Sequence, residues 1–286
     1  MGEIKNMLKK VPGLKWIADT NKKIYDLQEQ TKKLQEEKND LEEKINKISG
    51  EVLLNNKETK IDKLAIYTVL INSYDELNEP LKIEDKYCDY YCFTDNKDLK
   101  SNTWKVIYVD KGKYRDLKNC DAVKFARYIK THPQLFLKGY KHSLFIDANL
   151  TINKSLIGWI CLYSNGNDLL TFKHPDRDCI YKEGKRCIEM GKDDPNIISK
   201  QLARYKKEGY PENNGLVMTN MIYRKHTSSI KKFDDLWWDE IKKESRRDQL
   251  SFNYVLDKTK LKIDLCPLHA AFNDYFIYNY HKNEKR

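Results

Sequence analysis

Between Gly13 and Gly50 the chain has neither glycine nor proline, and Ile24, Leu27, Thr31, Leu34, Lys38, Leu41, Ile45 and Ile48 recur at alternating spacings of three and four. A stripe two positions wide in seven is a coiled-coil seam, whereas a helix folded onto a domain shows a broader apolar face. The pattern predicts a stalk over 21–50. The seam is weak, because Thr31 and Lys38 occupy two of its a positions and parallel pairing sets Glu37 against Glu42. Homo-oligomerisation through residues 21–50 is therefore expected to lean on the attached domain or on another partner. Ahead of the stalk, Ile4, Met7, Leu8, Val11, Leu14, Trp16 and Ile17 alternate with Lys5, Lys9, Lys10 and Lys15. Residues 1–20 thus read as a basic amphipathic segment suited to peripheral contact with an anionic membrane, or as an ordinary packed terminus.

From Lys60 the texture changes to short β-rich runs separated by helical stretches. Strands are expected at Leu64–Ile71, Tyr87–Thr94, Trp104–Val109, Ser143–Ile146 and Gly215–Tyr223, and helices at Cys120–Lys130 and Phe233–Lys243. Alternation of this kind predicts an α/β fold with a helix-flanked sheet, one domain over 61–286.

Composition narrows the function. Of 286 residues, 53 are Lys or Arg and 43 Asp or Glu, a formal charge of +10. Residues 1–60 carry 13 lysines and 11 acids, and no arginine-rich or aromatic-interleaved stripe follows, so no nucleic acid is expected as a partner. The seven cysteines form an odd set with no C-x-x-C pair and neighbour apolar residues. They read as reduced core thiols, and the expected location is cytoplasmic, with peripheral contact at the inner face of a membrane through residues 1–20. The apolar runs are too short to span a bilayer, which takes about 20 residues.

The chain has no G-x-G-x-x-G, P-loop, G-x-S-x-G or zinc spacing. What it offers is polar residues at strand ends, where open α/β sheets bind ligands. The sharpest case is Ser143-Leu-Phe-Ile-Asp147-Ala-Asn149, an apolar strand ending in a carboxylate and, two residues on, an amide oxygen. At period two both side chains point one way, and such a pair suits Mg²⁺ or Mn²⁺ bridging a diphosphate. Asp and Asn are equally favoured in turns.

Several blocks carry a resemblance. The end of the first strand (Thr68 to Tyr74), the second strand ending at Thr94-Asp95 and a helix with Lys124 and Arg127 all precede the Asp147 strand. This order resembles a GT-A glycosyltransferase. The blocks Phe145-Ile-Asp147-Ala-Asn149, His174-Pro-Asp-Arg177-Asp178-Cys-Ile-Tyr181, Asn213-Asn214-Gly215-Leu-Val-Met-Thr219-Asn220 and Arg247-Asp248-Gln249-Leu-Ser251-Phe252 resemble a glycosyltransferase-like domain family formerly of unknown function. Its members include bacterial polysaccharide-locus and plant Golgi proteins. The blocks are also similar to retaining glycogenin-type galactosyltransferases.

The resemblance implies a nucleotide-sugar donor, a UDP-sugar first, and a glycan or glycan-precursor acceptor. It implies Asp147, Asp248 and Gln249 as catalytic residues, and Thr68, Tyr74, Thr94, Asp95, Lys124 and Arg127 on the donor side. His174, Arg177, Asp178, Asn214 and Gly215 would line the sugar and acceptor side, with a weak lean to retention. A divalent ion, Mn²⁺ or Mg²⁺, would rest on Asp147 and Asn149, with His269 as a further ligand and His281 its alternative. Asn149 stands where a D-x-D enzyme has its second carboxylate, and one charge fewer weakens divalent binding. Two rivals remain open from the residues alone: a non-catalytic basic coiled-coil adaptor, and a hydrolase using Asp147 or Asp248 with His174.

Overall fold

A computed structural model describes residues 12–55, 63–84, 86–114 and 117–281, with side chains of the first helix described at 19–41 and 44. The chain divides into two units, 1–49 and 50–286. Helix α1 (Pro12–Asn55) opens on a proline, which fits a helix start because the missing N–H would be unsatisfied there anyway. At 1.5 Å per residue it is about 66 Å long, longer than the predicted stalk at both ends. Ile24, Leu27, Leu34 and Leu41 of the expected seam are exposed along it. Residues 1–11, and with them most of the basic amphipathic segment, lie outside the described residues. Among the described residues no helix is long and apolar enough to cross a membrane.

In the second unit the strands are β1 (Leu64–Leu70), β2 (Cys88–Thr94), β3 (Lys105–Tyr108), β4 (His142–Ile146), β5 (Leu150–Ile152), β6 (Leu169–Lys173), β7 (Val217–Lys225), β8 (Asp264–Cys266) and β9 (Phe276–Tyr278). Seven form one sheet in the order β3-β2-β1-β4-β7-β6-β8, while β5 and β9 pair apart from it. Within the large sheet β7 alone runs against its neighbours. The carboxyl ends of β1, β2, β4, β6 and β8 therefore share one edge with the amino end of β7.

Helices α2 (Ala122–Thr131), α3 (Pro133–Phe136), α4 (Leu156–Tyr163), α5 (Ile180–Glu189), α6 (Pro195–Lys207), α7 (Ser228–Lys243) and α8 (Asp248–Thr259) complete the unit. Period-two alternation sorts the core. Ala65, Tyr67, Phe93 and Phe145 pack with Phe125 and Ile129 of α2, Phe233 and Trp237 of α7 and Phe252 of α8. Leu64, Ile66, Leu144 and Ile146 pack with Trp159 of α4 and Phe276 of β9 on the other face. Apolar residues on both faces are what a largely parallel sheet needs. The result is the mixed, helix-flanked α/β sheet of GT-A type that the resemblance implies.

The expected strands and helices are all present, with shifted ends. Asp121 caps α2 by accepting from the N–H of Lys124, and Thr227 caps α7 by accepting from Ile230. Strands β5, β6, β8 and β9 and helices α3, α4, α5, α6 and α8 are additions. Positions 248–255 of α8 are all buried, so that helix has no polar face for a period to reveal. All seven cysteines are free thiols, six of them buried.

Candidate functional site

Asp147 follows the last residue of β4, and its N–H bonds the carbonyl of Asn220 in β7. The chain then turns at once, Leu150 N–H closing on the carbonyl of Asp147 at 3.0 Å. This corrects the period-two expectation for Asp147 and Asn149: the backbone between them is a turn, not a strand. The Asp147 side chain is 35% exposed, whereas Asn149 is buried and donates its amide to the carbonyl of Asn279.

Asp147 shares the Phe145 face of β4, and α2 delivers Lys130 to that face. The Lys130 ammonium is wholly buried, 2.7 Å from Asp248 Oδ2, 4.0 Å from Asp147 Oδ1 and 4.5 Å from the centre of the Phe145 ring. Asp248 is the first residue of α8, where a carboxylate is favoured by the helix dipole. It also accepts from Thr219 Oγ1 at 3.1 Å and faces Arg127 Nε at 3.4 Å, a contact that closes no hydrogen bond. Gln249 donates to the carbonyl of Val217 at 2.7 Å, which fixes its amide against β7.

The two carboxyls respond differently to this environment. Burial pushes the Asp147 carboxyl up, against the pull of Lys130 and Arg127. Burial acts the same way on Asp248, but Arg127, Lys130 and Arg247 outweigh it and hold the group well below the usual carboxylate range. Burial draws the Lys130 ammonium below its ordinary range, opposed by Asp248 and Asp147.

On the donor side, Asn72 and Ser73 adopt left-handed backbone (φ 58° and 47°), and Asp95 clamps the bend by accepting from Asn72 N–H at 2.9 Å. Tyr74 is half exposed and packs on His281, whose Nδ1 lies 2.9 Å from Asp75. Three donor-side expectations are displaced. Thr68 lies inside β1 and Thr94 at the end of β2, both wholly buried, so neither hydroxyl faces an opening. The Lys124 ammonium is tied to the carbonyls of Lys242 and Glu244 at the end of α7, a common use of lysine at a helix C-terminus.

Lys130, three residues beyond Arg127, is the lysine of α2 that the structure brings to Asp147 and Asp248. Sequence reasoning passed over it because a lysine in an amphipathic pattern reads as solvated. Its signal was the i, i+3 spacing from Arg127, one turn along the same face.

On the other side, His174 leaves β6 and organises a turn in which Nδ1 faces the N–H groups of Asp176 and Arg177 at 3.1 Å each. Arg177 pairs with buried Glu183 at 2.6 Å. Asp178 is exposed and pairs with Lys182. Asn214 is exposed, and Gly215 has φ 81°, a left-handed backbone that selects glycine. His269 follows β8 at the same edge, its Nδ1 facing the N–H groups of Ala271 and Phe272.

As placed, Asp147 and Asn149 do not form the ligand pair expected for a divalent ion. Among the described residues no three His, Cys, Asp or Glu side chains are grouped as ligands. Asn149 is turned to Asn279, and the charge beside Asp147 is an ammonium.

A family profile described as "TOD1/MUCI70, glycosyltransferase-like domain" matches residues 41–277. The chain belongs to the TOD1/MUCI70 glycosyltransferase-like family. An Arabidopsis thaliana protein named "Probable hexosyltransferase MUCI70" is similar, 22% identical over 252 residues, the match covering 78% of this chain and 42% of that protein. The chain thus spans less than half the length of this relative. Every candidate from Thr68 to His269 lies within the TOD1/MUCI70 match, and His281 lies beyond it.

Proposed function

We propose that the chain transfers a sugar from a nucleoside-diphosphate donor to a glycan or glycan precursor. The observation that supports it is the placement of Asp147 and Asp248 around one buried ammonium, at the sheet edge where the parallel strands end. In this reading the bond between the anomeric carbon and the diphosphate oxygen breaks, the acceptor oxygen takes its place, and the acceptor's hydroxyl proton passes to the departing diphosphate. Negative charge grows on the leaving diphosphate and meets fixed cations that need no reorganisation. The Asp95 clamp shapes the nucleotide side, and Tyr74 offers a ring face to the base. Asp147 reaches the opening, while Asp248 and Gln249 hold the sugar side. A uridine donor is the first to test, and retention is the outcome that the glycogenin-type likeness favours.

The hydrolase alternative loses support because His174 shares no described hydrogen bond with either aspartate, and burial pushes its pKa down. The purified chain, given a panel of UDP-, GDP- and CDP-sugars, is expected to release sugar slowly, and Asp147→Ala to lose at least about 100-fold of that rate. Neither turnover nor nucleotide binding across the panel would overturn the proposal. Self-association through the exposed α1 seam belongs to the same reading. Light scattering of the full chain against a Leu27→Glu, Leu34→Glu variant tests it, and an unchanged mass would sink it.

A further inference from the structure

We infer that donor binding by this chain needs no divalent cation, because Lys130 positions Asp147 and Asp248 and Arg127 takes the charge of the donor's diphosphate. This rests on the donor chemistry proposed above and adds the means by which that charge is met.

Three cations, Arg127, Lys130 and Arg247, bear on two carboxylates, Asp147 and Asp248. The nearby Glu183 is answered by Arg177. Among these groups the cations outnumber the carboxylates by one, which favours a diphosphate over a metal ion, and the further buried carboxylate on this side, Asp75, lies against His281. A divalent ion seated on Asp147 Oδ1 would also share that oxygen's surroundings with the Lys130 ammonium, where low dielectric strengthens the repulsion.

The two cations have separate tasks. Lys130 is 1% exposed and spent on Asp248, so it acts through the carboxylates and is a positioning residue. Arg127 is 20% exposed, and its Nε closes no hydrogen bond with Asp248. A guanidinium so placed has donors to turn onto phosphate oxygens and the planar fork that suits them. Asn149, the neutral member of the expected metal pair, is turned to Asn279, in keeping with a site that relies on its own cations.

Calorimetric titration of the full chain with UDP, GDP and CDP, in EDTA and in Mn²⁺, tests this. The affinity for the nucleotide that binds is expected to agree within about threefold between the two buffers. Arg127→Met is expected to weaken it about tenfold or more, with Arg127→Lys recovering part. Lys130→Arg keeps the charge and should keep both binding and the wild-type pH profile of donor hydrolysis. Lys130→Met should move the acid limb of that profile upward as the carboxylates lose their cation. Should Lys130→Met fail to fold, the Lys130→Arg profile and the Arg127 pair decide. Binding that vanishes in EDTA and returns with Mn²⁺ overturns this inference and leaves the donor reading standing. Absence of binding in both buffers overturns both.

Discussion

The second unit holds two buried charge clusters that meet at one tyrosine, and they differ in what surrounds them. Arg224 of β7 and Asp234 of α7 pair at 3.0 Å with both side chains wholly buried. Arg224 Nη2 and Asp234 Oδ2 have no hydrogen-bond partner among the described residues, and the guanidinium lies over Trp237. This pair is sealed and balanced. The Lys130 cluster is neither: it has a surplus cation, and Asp147 and Arg127 reach the sheet edge. A sealed pair specifies how β7 and α7 pack, whereas a cluster that is open and unbalanced is prepared for a ligand that completes it.

The comparison breaks most easily at the sealed pair. Above about pH 7, where the pair is ionised, Arg224→Met leaves an uncompensated buried carboxylate and is expected to cost about 3–5 kcal/mol of unfolding free energy. Adding Asp234→Leu should return most of that, because the remaining charge goes with it. Urea denaturation of the single and double variants measures both. A cost below about 1 kcal/mol for the single variant would mean that water reaches the pair, and the contrast with Lys130 would fail.

The pH dependence should separate the clusters by sign. Burial outweighs Arg224 and raises Asp234 from 3.8 to about 7. Between those values the folded chain keeps a proton that the unfolded chain has released, so this stability is full at low pH and is lost as pH rises toward 7. Asp248, held below its ordinary range, does the reverse: its contribution is present above the ordinary carboxylate pKa and is lost as pH falls. Melting temperatures of Asp234→Asn should flatten the decline up to about pH 7, and those of Asp248→Asn the fall below about pH 4. Identical slopes in the two variants would show that the clusters titrate alike.

The sequence made the frame of this comparison readable and hid its hub. Strands β1, β2, β4 and β7 and the end of β4 at Asp147 follow from apolar runs with polar termini, and Asp248 stood out in its Arg-Asp-Gln block. Lys130 did not, since a residue's burial depends on which face of α2 meets β4, and that is a tertiary fact. Thr68 misled for the opposite reason: a hydroxyl near a strand end reads as a ligand until the sheet covers it. Arg224 lies in an otherwise largely apolar strand, and nothing local pairs it with Asp234 ten residues on.

Within the open cluster, Thr219→Val removes the hydroxyl that donates to Asp248 and leaves the side-chain shape nearly unchanged. A hydrogen bond to a charged group is worth roughly 1.5–3 kcal/mol, and loss of that order is expected. Donor hydrolysis should fall as well, because Asp248 gains freedom. A loss of stability with the rate intact would assign Thr219 to packing alone.

The smallest effect bears on whether the two clusters are one. Tyr67 Oη donates to the carbonyl of Lys130 at 2.7 Å and accepts from Arg224 Nη1 at 3.4 Å, so its hydroxyl is the atom they share. Tyr67→Phe should cost about 1 kcal/mol, the usual worth of a neutral hydrogen bond. Because the contact holds the main chain of Lys130 and not its ammonium, nucleoside-diphosphate affinity should change by less than about twofold. A double-mutant cycle with Arg224→Met should show coupling in stability, as residues in contact do, and none in nucleotide binding. A tenfold loss of affinity in Tyr67→Phe would place the sealed pair within the site, and the Arg224 and Lys130 clusters would then have to be treated as a single device.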